Sequence, residues 1–147
     1  MSSTRQVIMD QVLSVLTNIS GVNSVSESIK HYEEVDHADF PALFPIDTDE
    51  VKEPFVIRES SDNNMKSTLT LLITGMVWSA TNVTRQARCD LIQAVEKAIC
   101  YTGSVLTNIV HTVTPRRVIT DKGSVLNYSI WDQEFEIEYF YDYKDGG

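Results

Sequence analysis

Cations are scarce in this chain. Lysine and arginine number 12 against 21 aspartates and glutamates, a formal net charge of -9. That balance argues against direct binding of DNA or RNA, which rests on neutralising phosphates with basic side chains. No hidden basic stripe offsets it, because the only adjacent basic pair is Arg116 and Arg117, which reads as a strand bend or a subunit contact. Cysteine is nearly absent. Cys89 and Cys100 stand in a stretch of helical pattern, about 16 Å apart along its axis, too far for a disulfide with each other; buried, reduced thiols are expected. Long apolar runs are missing, and none approaches the roughly 20 residues that span a bilayer. No N-terminal stretch combines a basic start, an apolar run and a small-residue cleavage site, so the expectation is a protein made and kept in a cytoplasm, with no membrane partner.

Catalytic signatures are also missing. The sequence has no P-loop, Gly-rich dinucleotide turn, Cys-X-X-Cys pair, His-Glu-X-X-His helix or nucleophile elbow. One metal-like cluster, His31, Glu33, Glu34, Asp36, His37 and Asp39, lacks a recognisable ligand spacing and reads better as a solvated acidic loop. His111 and Asp121 could form an acid and base pair, but no Ser, Thr or Cys stands near them in a known signature. The chain therefore reads as a non-enzyme, with no catalytic, cofactor-binding or metal residue and no cofactor assigned.

What is present is most informative at the C-terminal end. Trp131, Gln133, Phe135, Ile137, Tyr139, Tyr141 and Tyr143 alternate with Asp132, Glu134, Glu136, Glu138, Phe140 and Asp142. On a strand this puts an aromatic and aliphatic face against a core and a carboxylate ladder on the other side. Carboxylates about 7 Å apart repel one another, so that face must stay in water or meet cations. It is either an ordinary solvated face or the lining of something such as a channel carrying a polyanion that must not stick.

Upstream, Ile8, Val12, Val15, Leu16 and Ile19 recur at helical spacing and Gly21 closes the segment, which predicts a helix over about 4–20. Residues 22–32 read as a crossing or a short edge strand. The run Phe40-Pro41-Ala42-Leu43-Phe44-Pro45-Ile46 is confined by its prolines to an edge or to the start of a strand. Residues 47–66 carry six acids around Pro54, Phe55, Val56 and Ile57, and read as a long exposed arm with a small apolar island suited to docking on a neighbouring subunit. A strand over 67–78, a helix over about 83–101 capped by Thr81 or Asn82 and stopped by Gly103, and a strand over 109–120 bent at Pro115 follow. Asp121 to Ser124 reads as a turn, with the terminal strand starting as early as Val125. With 147 residues, of which 42% are apolar, the chain can bury roughly 70% of its unfolded surface. Residues 1–147 form one domain, with an α+β fold in which two helices pack on one face of a mainly antiparallel or mixed sheet, plus the arm at 47–66.

The order of these segments resembles the tail terminator proteins of tailed bacteriophages, including tail completion and neck proteins. The resemblance rests on the N-terminal helix, Phe40-Pro41-Ala42-Leu43 leading into an acidic stretch, and the long strand ending at Met76-Val77-Trp78. It continues through the helix from Asp90 to Ile99, Val118-Ile119-Thr120-Asp121-Lys122-Gly123 and Phe135-Glu136-Ile137-Glu138-Tyr139. It spans nearly the full length through patterns of type and order. It implies a structural virion protein that forms a homohexameric ring on the end of the tail tube, stops tube polymerisation and offers a surface for head-to-tail joining. The implied partners are further copies of the chain, the tail tube protein, the sheath protein where the tail has one, and a head connector or stopper protein, with DNA passing through the lumen unbound. The implied location is the virion tail or neck, assembled in the host bacterial cytoplasm. No catalytic position of the family exists to carry over, so the candidate sites are surfaces. They are Phe55, Val56 and Ile57 as a subunit contact, Arg116 and Arg117 as complementary charges for an acidic neighbour, and Glu134, Glu136 and Glu138 as lumen-facing or partner-facing charges. Alternatives are another neck or connector subunit, or a small ligand-binding domain or enzyme of the same fold class.

Overall fold

The computed structural model describes residues 4–54, 64–100, 106 and 109–142. Its elements run α1 (Thr4–Thr17), β1 (Ser24–Val25), two 3-10 turns (Tyr32–Glu34 and His37–Asp39), β2 (Ala42–Pro54), β3 (Asn64–Trp78), α2 (Arg85–Cys100), β4 (Thr112–Thr120) and β5 (Tyr128–Asp142). The strands make one mixed sheet in the order β1-β2-β3-β5-β4, with β1 parallel to β2 and the other neighbours antiparallel. This is the α+β class expected. The last strand in the chain is interior to the sheet, pairing with β3 from Asn64↔Asp142 to Trp78↔Tyr128 and with β4 on its other side.

Both helices bury a stripe of residues spaced four apart against one face of that sheet. Ile8, Val12 and Leu16 of α1 and Leu91, Val95 and Ile99 of α2 join Leu69, Leu71, Ile73, Trp131, Phe135, Ile137 and Tyr139 in one apolar cluster. Spacing of four keeps each stripe on one side of its helix, as the sequence pattern required. Gly75 sits opposite Trp131 in the β3–β5 register, and a Cβ there would come within 2.2 Å of the indole ring. The glycine is the space that lets the largest side chain of the core lie flat on the sheet. A smaller cluster closes part of the opposite face, where Val35 and Phe40 from the 3-10 segment cover Ala42, Phe44 and Met76, with Trp78, Tyr128 and Tyr32 at its margin.

Several expectations need adjusting. Residues 47–54 and 64–66, expected in an arm, belong to β2 and β3; residues 55–63, including Phe55, Val56 and Ile57, lie outside the described residues, as does Gly103. Helix α2 starts at Arg85 and not at Val83, because Thr84 supplies the carbonyl that accepts the Arg88 N–H at 2.9 Å. Strand β5 starts at Tyr128 and not at Val125. Pro45 is tolerated inside β2 for a geometric reason. The Leu43 carbonyl accepts from Ser26 N on the β1 side, so Pro45, two residues on, also points its missing donor away from β3.

Gly75→Ala should lower stability by about 1–3 kcal/mol through overpacking, read as a lower urea midpoint. Combined with Trp131→Phe, which frees the space, the loss should be smaller than the sum of the two single losses. Strict additivity would mean that the close approach is not the reason for the glycine.

Candidate functional site

The carboxylate ladder of β5 stands on the sheet face away from the helices, and it is met by cations from both neighbouring strands. Lys66 Nζ of β3 reaches Glu138 Oε1 at 2.8 Å and Glu53 Oε1 at 3.6 Å. Thr112 Oγ1 donates to Glu138 Oε2 at 3.0 Å, and Thr74 Oγ1 donates to Asp132 Oδ1 at 2.7 Å. From β4, Arg116 Nη2 donates to Glu136 Oε2 at 2.6 Å and Arg117 Nε lies 3.4 Å from Glu134 Oε2. The hydrogen bonds from Lys66 and Thr112 hold the Glu138 carboxyl below the usual glutamate range.

Period-two alternation would send the adjacent Arg116 and Arg117 to opposite faces. The register shifts between Pro115 and Arg117, placing two residues of β4 against one of β5. That bulge turns both guanidinium groups onto the acidic face. The predicted bend at Pro115 is thus present, and the two arginines, expected to seek an acidic neighbour, each hold an acid of their own chain. Their side chains remain 48% and 63% exposed. Exposed pairs of this kind contribute only about 0.2–1 kcal/mol each. Their main effect is therefore on surface charge: Glu138, Glu136 and Glu134 are compensated by Lys66, Arg116 and Arg117, each of these three cations is held by a carboxylate, and Asp132 is met by the Thr74 hydroxyl.

A second charged cluster lies on the helix face. The register of β2 shifts between Asp47 and Glu50, and this bulge turns both acids toward Arg5 at the start of α1. The Arg5 guanidinium bonds Asp47, donates to the Thr48 carbonyl at 3.1 Å and lies 3.8 Å from Glu50. The Glu50 side chain is only 5% exposed and also takes Lys52 Nζ at 3.1 Å and the Tyr139 hydroxyl at 2.9 Å. Burial pushes its pKa up, but the bonds from Lys52 and Tyr139, with Ser67 close by, outweigh burial and hold it below its ordinary value of 4.5. Ser67 is completely buried beside them, although its Oγ makes no hydrogen bond of standard geometry. No sequence pattern marked this cluster, since Glu50 looked like one more acid in an exposed stretch.

The remaining candidates are dispersed. His111 and Asp121 flank opposite ends of β4, on the order of 30 Å apart, and His111 packs on Phe140 instead, with ring centroids 5.0 Å apart. The acids and histidines of 31–39 spread over the two 3-10 turns, with His37 stacked on Trp78 at 3.7 Å. Among the described residues no group of three or more His, Cys, Asp or Glu is placed to hold a metal ion. Cys89 is exposed, contrary to the expected burial, while partial burial pushes the Cys100 thiol up to about 11. No protein-family model matches this chain, and no curated protein does.

A carboxyl held low in the folded state contributes stability that is present above its unfolded pKa and lost as pH falls through the folded one. Stability should therefore decline as pH drops below 4.5, with Glu50 and Glu138 both contributing. Glu50→Gln should cost about 1–3 kcal/mol at neutral pH and flatten the acid limb of a stability-versus-pH curve. An acid limb of unchanged slope would remove Glu50 from that account.

Proposed function

We propose that this chain is a structural virion subunit of the tail terminator kind, forming a ring on the end of a tail tube, stopping its growth and offering the surface for head-to-tail joining. The observation that carries the reading is a pair of unlike, open sheet edges. Strand β4 is the last strand on one side, while on the other β1 covers only Ala42 and Leu43 of β2. Exposed apolar side chains accompany both edges, Ile46 and Val51 on β2 and Val118 and Ile119 on β4. A contact between two different surfaces is heterologous, and repeated around a rotation axis it closes into a ring.

Both edges are blunted. Pro45 and a bulge interrupt β2, and Pro115 and a bulge interrupt β4. Such features suppress indiscriminate strand addition, which suits a subunit that stays apart until a tube end organises it. The Glu134, Glu136 and Glu138 face supports a lumen role. Its cations are already held by carboxylates, so passing phosphates find none free to grip and DNA slides through. The tube protein, the sheath protein in a contractile tail and the head connector are the partners of this reading, with the virion tail or neck as its location.

Electron microscopy of particles made under a null allele of this gene tests the assignment. Overlong tubes separate from filled heads are expected. Tailed particles of normal length would sink the proposal, and normal-length free tails beside filled heads would reassign the chain to a connector role.

A further inference from the structure

Five described lysines and arginines stand outside the pairs above, and three of them share one cleft, Lys30 and Lys97 lying elsewhere. Arg85 and Arg88 at the start of α2 and Lys122 in the β4–β5 connection line a single cleft of about 670 Å³. None of the three belongs to an ion pair among the described residues. The cleft walls are tied together: Asn127 N donates to Asn82 Oδ1 at 2.8 Å, and the Thr84 and Ser129 hydroxyls bond each other at 2.8 Å. Lys122 and Gly123 both take positive φ, of 59° and 75°, which with the Ser124 N–H to Asp121 carbonyl bond sets the turn that presents Lys122. Val83 and Leu126, 70% and 73% exposed, also line the cleft, and they are the two most exposed large apolar side chains among the described residues. Unpaired cations beside exposed apolar groups in a preformed cleft fit an acidic segment with an apolar anchor.

The same chain carries such a segment. Between β1 and β2 stand Glu27, Glu33, Glu34, Asp36 and Asp39 against a single lysine, Lys30, all exposed and in no ion pair among the described residues, with Ile29 60% exposed among them. Tyr32 rests on Tyr128, ring centroids 4.7 Å apart, and from that position no carboxylate of the segment reaches ion-pair distance of the cations of its own cleft. We propose that the acidic segment 27–39 of one copy docks in the Arg85, Arg88 and Lys122 cleft of the next copy. The proposal rests on the ring reading and names a contact that joins its subunits. Each copy offers one cleft and one segment, so the contact is heterologous and repeats around the ring.

Two full-length variants test it, Arg88→Glu with Lys122→Glu and Glu33→Lys with Glu34→Lys and Asp36→Lys, which turns the segment net positive, examined with the wild type by native mass spectrometry and sedimentation, with circular dichroism to check folding. Each variant alone places like charges at every contact and should fail to assemble. An equimolar mixture restores opposite charges at every contact of an alternating ring and should assemble. Folded variants that stay apart when mixed would overturn the docking, as would variants that assemble alone as well as the wild type does. Wild-type protein that forms no ring, free or on isolated tail tubes, would overturn the ring reading and the docking with it. Salt supplies a reading independent of mutation. Screening shortens to about 3 Å at 1 M ionic strength from about 10 Å at 0.1 M, so wild-type assembly should weaken about tenfold or more across that range, and a salt-insensitive ring would overturn the proposal.

Discussion

The fold depends on the two-faced pairing of β5. This strand is last in the chain, yet it fills the gap between β3 and β4, and β4 reaches the sheet only through it. Until it arrives, β3 has one bare edge and β4 has no partner strand. The core likewise waits for it, because Trp131, Phe135 and Tyr139 are the buried aromatics of the cluster that the helices cover, and Ile137 packs among them. Long-range pairing of this kind makes entropic loop closure precede its reward. The side-chain alternation of β5 resolves its register, since a slip of one residue would bury the glutamates and expose the aromatics.

Polar groups then fix what apolar burial leaves adjustable. Trp131 Nε1 donates to Gln133 Oε1 at 3.0 Å, and Gln133 Nε2 donates to the Ile92 carbonyl at 3.1 Å. A buried glutamine thus ties the central strand to the backbone of α2, with both ends of its amide satisfied. Arg5 does the corresponding work for α1 by gripping Asp47 and Glu50 across the β2 bulge. Each helix therefore has a polar tie to the sheet, and a buried polar contact is specific in a way that apolar area is not, because misplacing it strands an unpaired group.

Patterns with a short period were legible in the sequence. The stripes of α1 and α2 at a spacing of four and the alternation of β5 each require only local geometry, and the structure places them where they were read. Charged residues 47–54 were misleading, because acids and lysine have poor strand propensity and the pairing with β3 that overrides it is remote in sequence. The bulges were invisible for a related reason: nothing local distinguishes an adjacent Arg116 and Arg117 that share a face from a pair that alternates. Gly75 was unreadable without knowing that Trp131 stands opposite. Candidate surfaces were legible as composition, and their compensation by partners on neighbouring strands was not.

The two bulges have the same consequence on opposite faces of the sheet. In β2 the extra residue brings Asp47 and Glu50 to one cation of α1, and in β4 it brings Arg116 and Arg117 to two acids of β5. Each concentrates charge of one sign at a point of an edge strand and neutralises it within the chain. An edge treated in this way offers a neighbour little uncompensated charge and an interrupted row of backbone donors, so it resists casual pairing. Further unpaired charge gathers away from these bulges, in the 27–39 segment and in the cleft beside α2. Assembly specificity in this molecule is thereby separated from sheet integrity, and reversing a charge at the cleft can alter partner choice without touching the pairs that hold β2 and β4 in place.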